Sequence, residues 1–331
     1  TENLVYQIAL SLLPGVGDVI AKNLVGYCGG AEAVFNEKQQ ALLKIPNVGQ
    51  VVAEKIKKGK VEALKKAEGE ICFIEKNKIK PLFFTSDDYP KRLKSCNDSP
   101  ILLYVKGNAN LNPIKCIAFV GTRNATDYGK MVTENLIGEM AALKGIMTIS
   151  GLAYGIDIAA HKASLKNNIP TTGVVAHGLD TIYPSEHRST AEKMQTTGAV
   201  VSEFMSKTRA DKENFPRRNR IIAGMADAVI VVESGTKGGS LITAELANSY
   251  NRDVFAIPGN IDKEYSKGCN ALIRNNKANL IQSLADIEYL MGWDKEEHKS
   301  IPKQAKLFEE LSADEQLLVD FLKENSKADI D

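Results

Sequence analysis

Three arginines within four positions, Arg217, Arg218 and Arg220, are the most informative residues of this 331-residue chain, whose formal net charge is only +1. A guanidinium group is always charged, and its planar fork of donors matches the oxygens of a phosphate. The cluster follows a proline and precedes an apolar run, near the start of a predicted helix, where backbone N–H groups also favour anions. Charge and position favour an anion-binding site over a solvated or ion-paired surface segment.

The three arginines are not expected to share one role. A helix turns by about 100° per residue, so Arg218 and Arg220 would point about 200° apart if both were helical. We expect segment 215–219 to be an extended loop, because a proline disfavours the helical conformation in the residue before it. Arg220 is then the buried member of the cluster, paired with a carboxylate such as Glu203 or Asp227.

Four glycine-containing loops follow predicted strands and could bind the same anion. Glycine lets a ligand approach the backbone, and the helix after each loop presents free N–H groups. No loop fits GxGxxG or the Walker pattern GxxxxGK[ST], so neither a dinucleotide site nor an NTPase is supported. With Arg123 and Lys237, these loops predict a phosphate-binding edge of the sheet. They span residues 121–123, 151–157, 178–180 and 235–240.

The remaining titratable residues form no convincing catalytic set. His161 is predicted to be structural, and His177 could line a cleft but has no serine or cysteine partner. Asp157, Asp180 and Glu203 could be catalytic, but carboxylates at such positions more often cap loops or pair with arginines. We therefore expect no catalytic residues and no cofactor.

The cysteines argue for free thiols in a reducing compartment and against a metal site, because they are odd in number, widely spaced and never in a C-x-x-C pair. No apolar stretch approaches the ~18 residues that span a membrane. The chain starts without a signal-peptide pattern, so a cytoplasmic location is expected. The cysteines are Cys28, Cys72, Cys96, Cys116 and Cys269.

Residues 1–66 read as helices broken by two similar turns, LPGVG at 13–17 and IPNVG at 45–49. They resemble a tandem helix-hairpin-helix, whose turn amides often contact DNA phosphates; a bundle used only for packing or protein contact is the equal alternative. Residues 294–306 read as a polar linker. A capping box at 312–315 then precedes a short amphipathic helix, so the C-terminal domain is expected to be cut short.

From about residue 72 onward, strands and helices alternate. Predicted strands include 81–84, 101–105, 116–120 and 228–232, and predicted helices include 128–144 and 241–250. Within helix 128–144 we expect Met131, Leu136, Met140 and Leu143 to face inward. Such alternation implies a doubly wound, mostly parallel α/β sheet, in which ligands collect at the carboxyl ends of the strands.

An ordered set of motifs over about residues 70–293 closely resembles the DNA-processing protein A (DprA/Smf) family of bacterial natural transformation. The resemblance implies a Rossmann-like fold that binds single-stranded DNA, helps to load the RecA recombinase onto it, forms homodimers and has no known catalysis. The motifs are FVGTR (119–123), SGLAYGID (150–157), FPRRNRIIAG (215–224), GSLITA (239–244) and VFAIPG (254–259).

The resemblance also implies a domain plan and a set of DNA-binding residues. The plan is a SAM-like helical domain at 1–68, an extended Rossmann-like domain at 69–293, the linker at 294–306 and the truncated start of a winged-helix domain at 307–331. Matching the motifs and adding the basic residues beside them gives the predicted DNA-binding set. Its members are Gly121, Thr122, Arg123, Arg217, Arg218, Asn219, Arg220, Lys237, Gly239, Ser240 and Thr243.

One enzyme class remains as an alternative. Nucleoside-monophosphate phosphoribohydrolases of the same Rossmann-like superfamily carry a phosphate loop of the form PGGxGTxxE. The comparable segment here, residues 233–245, lacks the leading proline and differs in spacing. Such an enzyme needs a closed pocket, whereas a DNA-binding protein needs an open groove.

Overall fold

A computed structural model describes residues 2–293 and 312–324 of the chain. It divides into two compact units, Thr1–Leu284 and Ala285–Asp331. The predicted linker at 294–306 lies outside the described residues. The predicted winged-helix segment at 307–331 is described only over residues 312–324.

The chain begins with a group of five helices, and the two predicted turns precede the second and the fifth. Gly15 and Asn47 adopt φ angles of 77° and 67°, the left-handed conformation that glycine and asparagine tolerate best. The last helix runs without interruption across residue 68. The helices are α1 (Glu2–Ser11), α2 (Asp18–Cys28), α3 (Ala31–Asn36), α4 (Gln39–Leu42) and α5 (Gln50–Lys76).

The alternating part of the chain forms the predicted sheet with helices on both faces. Its elements are β1 (Lys80–Phe83), α6 (Lys91–Lys94), β2 (Leu102–Gly107), β3 (Lys115–Val120), α7 (Asp127–Met140), β4 (Ile146–Ser150), α8 (Ile156–Lys166), β5 (Thr171–Val174), α9 (Arg188–Met194), β6 (Ala199–Ser202), α10 (Asn214–Met225), β7 (Ala228–Val231), α11 (Gly239–Ser249), β8 (Asp253–Ala256), α12 (Lys267–Arg274) and β9 (Asn279–Leu280). Two further helices, α13 (Leu284–Met291) and α14 (Ala313–Glu324), follow.

The sheet order is β1-β2-β6-β5-β4-β3-β7-β8-β9. All pairs from β6 to β9 are parallel, whereas β1 and β2 add an antiparallel edge. Strands β3 and β7 are buried along their whole length, as expected for a parallel sheet covered by helices on both faces. The prediction of a doubly wound, mostly parallel α/β sheet is therefore confirmed.

Helix α7 corrects one prediction of the buried face. Leu136 and Met140 are buried as expected, but Met131 is 52% exposed and Leu143 lies beyond the helix end. The buried stripe also contains Thr133, which extends it to positions i, i+3, i+4 and i+7 of one helical face. Choosing Met131 by its hydrophobicity alone misplaced the centre of that face.

Buried polar contacts join the N-terminal helices to the sheet. Asp18, the first residue of α2, accepts a hydrogen bond from the backbone N–H of Ile101 at 2.9 Å. Glu70 of α5 is buried and accepts from the backbone N–H of Ser206 at 2.8 Å and from its hydroxyl at 2.5 Å. Because these carboxylates accept hydrogen bonds from residues next to β2 and β6, the contacts fix the helical group against the sheet.

At the other end of the chain, the capping box is present as predicted. The Ser312 hydroxyl and backbone N–H both donate to the Glu315 carboxylate at 2.8 Å, and Ser312 precedes α14. This capping box stabilises the first turn of α14, because it gives partners to polar groups that have none within the helix.

Candidate nucleic-acid interface

A cleft with a volume of about 840 Å³ lies at the carboxyl ends of β3 and β7. The loops after these strands, the first turn of α11 and one face of α10 line it, as the parallel topology requires. The cleft brings together every predicted DNA-binding residue except Arg217 and Arg220. Those it contains are Gly121, Thr122, Arg123, Arg218, Asn219, Lys237, Gly239, Ser240 and Thr243.

The N-terminus of α11 supplies backbone donors to the cleft. The residue before the helix is Gly238, which has no side chain to cap it. The first N–H groups of α11 therefore remain available to a ligand. The Ser240 hydroxyl donates to that of Ser234 at 2.9 Å, and the Thr243 hydroxyl donates to the carbonyl of Gly239 at 3.0 Å. These bonds fix the first turn of the helix, where the dipole also favours an anion.

The loop after β3 carries Arg123 over the cleft. Thr122 anchors this loop, because its N–H donates to the carbonyl of Glu233 at 2.8 Å and its own carbonyl accepts from Ile156 at 3.3 Å. The next loop passes close by at Gly155, whose φ is 79° and whose missing side chain leaves room for the Thr122 carbonyl. The exposed Arg123 guanidinium lies 5.2 Å from the centre of the Phe215 ring.

Arg218 lies beneath the cleft rather than on its rim. It is 6% exposed, donates to the carbonyl of Val174 and donates to Asn219 Oδ1 at 3.1 Å. The carboxylate of Asp157 and the guanidinium of Arg218 approach the same side of Gly151, where a side chain would collide with both. Burial raises the pKa of Asp157, and the nearby Arg218 charge opposes that rise.

Asp157 is thus an electrostatic partner of a buried arginine. The carboxylate also accepts a hydrogen bond from the backbone N–H of Ala153 at 3.3 Å. This placement favours the second of the two interpretations drawn from the sequence, a carboxylate that pairs with an arginine rather than one poised for catalysis.

Arg217 and Arg220 lie outside the cleft and share one carboxylate. Arg220 is buried, donates to Glu203 Oε2 and lies 3.2 Å from Asp18 Oδ2. Arg217 is 57% exposed, lies 3.3 Å from the same Glu203 oxygen and stacks 5.0 Å from the Phe204 ring. The predicted burial and pairing of Arg220 with Glu203 is therefore confirmed, whereas Asp227 pairs with Arg92 at 2.6 Å.

The predicted extended loop at 215–219 is wrong, because α10 begins at Asn214 and includes all three arginines. The physical reason is the position of Pro216 in the first turn. There a backbone N–H has no partner within the helix, so proline removes nothing and its fixed φ suits the helix. The angular separation of Arg218 and Arg220 places one at the cleft and the other at the N-terminal helices.

The histidines have structural surroundings. His161 is fully buried, with Nε2 2.6 Å from the carbonyl of Gly151 and Nδ1 2.7 Å from the Thr171 hydroxyl. Burial lowers the pKa of His161 to about 4, so it is neutral in the folded protein at neutral pH. His177 lines a smaller cavity beside the cleft, where it accepts from the N–H of Tyr183 at 3.2 Å.

Sequence reasoning gave no role to several residues that line the cleft, among them Phe215, Glu264, Tyr265 and Lys267. Phe215 was part of a quoted motif, but its ring was not assigned a role. Glu264 and Tyr265 lie between β8 and α12, and Lys267 is the first residue of α12; the connection that carries them also starts from the carboxyl end of a strand. The strand alternation therefore held a signal for them, although this segment is not glycine-rich in the way the other loops are.

The free positive charge of the cleft belongs to Arg123, Lys237 and Lys267. All three are exposed, and none forms an ion pair with any residue in the described ranges. Glu264 is the exposed carboxylate on the same wall. The arrangement can bind an extended anion across two loops and one helix N-terminus.

All five cysteines are free, as predicted. Within residues 2–293 and 312–324, no group of three or more His, Cys, Asp or Glu side chains is placed to hold a metal ion. No helix among those residues is both long enough and apolar enough to cross a bilayer.

Comparison with known proteins places this fold and cleft in one family. The DNA processing protein DprA of Bacillus subtilis is 42% identical over 210 residues, which cover 63% of this chain and 70% of that protein. The crystal structure of DNA processing protein A from Streptococcus pneumoniae matches with a TM-score of 0.70 and 32% identity, over 86% of this chain and 97% of that one.

A structure of DNA processing protein A from Helicobacter pylori, solved to describe its single-stranded DNA binding mode, matches with a TM-score of 0.59 and 28% identity over 65% of this chain and 96% of that one. The family model for DNA recombination-mediator protein A matches residues 80–292, which contain the sheet and every residue that lines the cleft. The chain therefore belongs to the DNA recombination-mediator protein A (DprA/Smf) family.

Proposed function

We propose that this protein binds single-stranded DNA in the cleft and acts in DNA processing during recombination and natural transformation. The observation that carries the proposal is the meeting of Arg123, Lys237 and Lys267 with the uncapped N-terminus of α11 in one cleft. Cations and helix N–H groups contact phosphates, which every sequence shares, so binding is expected to depend little on sequence. Family membership and the single-stranded DNA binding of the Helicobacter pylori relative support the same function.

We propose that the predicted DNA-binding residues divide into two groups. Those that line the cleft contact the phosphates, except that Arg218 and Asn219 form the base of the cleft and support the residues that make these contacts. Arg217 is exposed beside Phe204 and reaches a strand only where the strand extends beyond the cleft. Arg220 acts by holding α10 in place. Replacing Arg217 by alanine should therefore weaken DNA binding less than replacing Arg123.

A salt series with fluorescent single-stranded and duplex oligonucleotides of equal length tests the proposal. We expect tighter binding of the single strand, because the cleft lies along one sheet edge and offers no recognition helix for a major groove. Three free cations predict a slope of log K against log salt of about −2. Equal affinity for duplex and single strand, or a slope near zero, would contradict it.

We propose that the cleft binds DNA without cleaving nucleotides. Asp157, the carboxylate beneath it, is buried, lies near the charge of Arg218 and accepts a hydrogen bond from the N–H of Ala153. Incubation with AMP and chromatography of free adenine tests this against the phosphoribohydrolase alternative. Release of adenine that disappears in Asp157→Asn would establish the enzyme instead.

We propose that the protein loads RecA onto the bound strand in the cytoplasm and works as a homodimer. Light scattering measures the oligomeric state, and RecA ATPase on strands covered by a single-strand binding protein measures loading. No stimulation of RecA would limit the function to DNA binding.

We propose that the chain contains a SAM-like helical domain at 1–68, a Rossmann-like domain at 69–293, a linker at 294–306 and the start of a winged-helix domain at 307–331. Limited proteolysis with mass spectrometry tests it. Cleavage confined to 294–306 would support the linker, and equal cleavage throughout 285–331 would refute it.

A further inference from the structure

Tyr265 lies on the wall of the cleft that follows β8, on a segment that sequence reasoning did not single out. Its carbonyl accepts a hydrogen bond from the N–H of Ser234 at 2.7 Å. Its hydroxyl accepts from Asn124 Nδ2 at 3.1 Å, on the opposite loop. The ring is therefore held from both ends, between the loop after β7 and the loop after β3.

The segment that carries this ring is fixed before any ligand binds. The Asn270 side chain donates to the carbonyl of Gly259 at 2.8 Å and accepts from its N–H at 3.2 Å. The N–H of Gly268 donates to the carbonyl of Ser234 at 2.8 Å. A platform held in this way costs little ordering entropy when a ligand contacts it.

The ring also has a defined position relative to the anion-binding helix. Ser234, whose N–H holds the Tyr265 carbonyl, accepts the hydroxyl bond of Ser240 in the first turn of α11. The exposed Lys267 follows two positions after Tyr265. A half-buried aromatic ring therefore lines the same cleft as the N-terminus of α11, where a phosphate would bind, and as the exposed Lys267.

We propose that Tyr265 is a stacking platform for one base of the single strand whose phosphates occupy the cleft, an inference that rests on the proposed function. Cations and helix N–H groups recognise only the backbone of a nucleic acid. An aromatic face adds affinity for any base, because every base has a π surface. Tyr265 would thus make the cleft prefer base-bearing strands to other linear polyanions.

The bond between Asn124 and Tyr265 permits a competing explanation, in which the tyrosine only ties two loops together. Tyr265→Phe separates the two, because it keeps the ring and removes the hydroxyl that accepts the bond. Asn124→Ala removes the same bond from the other side. Stacking requires the ring, whereas a tie requires the bond.

The experiment measures Kd by fluorescence anisotropy for wild type, Tyr265→Ala, Tyr265→Phe and Asn124→Ala, with Arg123→Ala as reference. Each binds an oligothymidylate and an abasic strand of equal length. We expect Tyr265→Ala to weaken oligothymidylate binding roughly five-fold or more, the worth of one stacked base, and to leave abasic binding unchanged. Tyr265→Phe and Asn124→Ala should remain within about two-fold of wild type.

Three outcomes would overturn the proposal. Tyr265→Phe could weaken oligothymidylate binding as much as Tyr265→Ala does, or Tyr265→Ala could weaken binding of both strands equally, or it could leave the affinity for oligothymidylate unchanged. A second measurement does not depend on a variant that folds. Irradiation of the wild-type complex with a 5-iodouracil strand should crosslink Tyr265, and a crosslink map without it would count against stacking. If wild type binds neither strand, the proposed function itself fails, whereas a weakened Arg123→Ala with an unaffected Tyr265→Ala refutes stacking alone.

Discussion

Arg220→Ala should destabilise the protein far more than Arg217→Ala, although both arginines contact the same oxygen of Glu203. The Glu203 side chain is 3% exposed, and that of Arg220 is 10% exposed, against 57% for Arg217. Removing Arg220 leaves a buried carboxylate without its main partner, and it also removes the link to Asp18 in α2. Removing Arg217 leaves the buried pair intact.

The expected magnitudes follow from burial. Breaking a buried ion pair by removing one partner costs about 3–5 kcal/mol, which lowers Tm by roughly 6–10 °C in a unit of this size. An exposed ion pair contributes about 0–1 kcal/mol, and an exposed cation–π contact adds about 0.5–1 kcal/mol. Arg217→Ala should therefore lower Tm by no more than about 4 °C.

The assay is thermal unfolding of both variants by circular dichroism at neutral pH. The double variant Arg220→Met with Glu203→Gln is the matched control, because it removes both charges and should recover part of the loss. Equal shifts for Arg217→Ala and Arg220→Ala would refute the reasoning. The reasoning would also be refuted if the double variant were as unstable as the single variant Arg220→Ala, because the loss of stability would then not come from an unpaired carboxylate.

Three further predictions concern the cleft and the core. Arg123→Ala should weaken single-strand binding by about 1.5–3 kcal/mol, the worth of a charge-assisted contact, while Tm changes little because the side chain is exposed; Lys65→Ala, an exposed change on α5, should alter neither. The combined Lys237→Ala and Lys267→Ala variant should flatten the salt slope from about −2 to about −0.7, and an unchanged slope would remove these lysines from the site. The pKa of His161 falls from 6.5 to about 4 on folding, so as the pH falls the unfolded chain protonates this histidine before the folded protein does. The stability that neutral His161 contributes is therefore fully present above pH 6.5 and is lost as the pH falls towards 4. Urea unfolding between pH 7 and 4 should show roughly 3 kcal/mol of this loss in wild type and less in His161→Gln, and identical pH profiles would refute it.

The location of the site could be predicted because topology alone determines it. A parallel sheet brings the carboxyl ends of its strands to one edge, so the loops after β3 and β7 had to meet, whatever their side chains do. Arg123, Lys237 and the first turn of α11 follow strands directly, and each lies in the cleft. The same topology extends to the segment after β8, where Tyr265 was missed because it carries neither a glycine pattern nor a cluster of charge.

The direction of individual side chains could not be predicted, because it depends on partners that are remote in sequence. Arg220 forms an ion pair with Asp18 at the start of α2, and Arg218 donates a hydrogen bond to the carbonyl of Val174 at the end of β5. Neither partner can be inferred from the local segment. The rule that a proline disfavours a helical conformation in the residue before it gave a wrong prediction for 215–219. The effect of a proline depends on its position in the helix, and Pro216 lies in the first turn.

The arginine cluster that dominates the sequence therefore contributes little of the charge available to DNA. Arg218 is buried beneath the cleft, and Arg220 forms a buried ion pair with Glu203 on the other side of α10. A charge that is buried or already paired releases no counterion when DNA binds, so it adds nothing to the salt slope. α10 instead contacts the end of β5 through Arg218 on one face and the N-terminal helices through Arg220 on the other. Within the described ranges, the exposed, unpaired positive charge of the cleft lies on the loops after β3 and β7 and at the start of α12, where sequence charge density is lower.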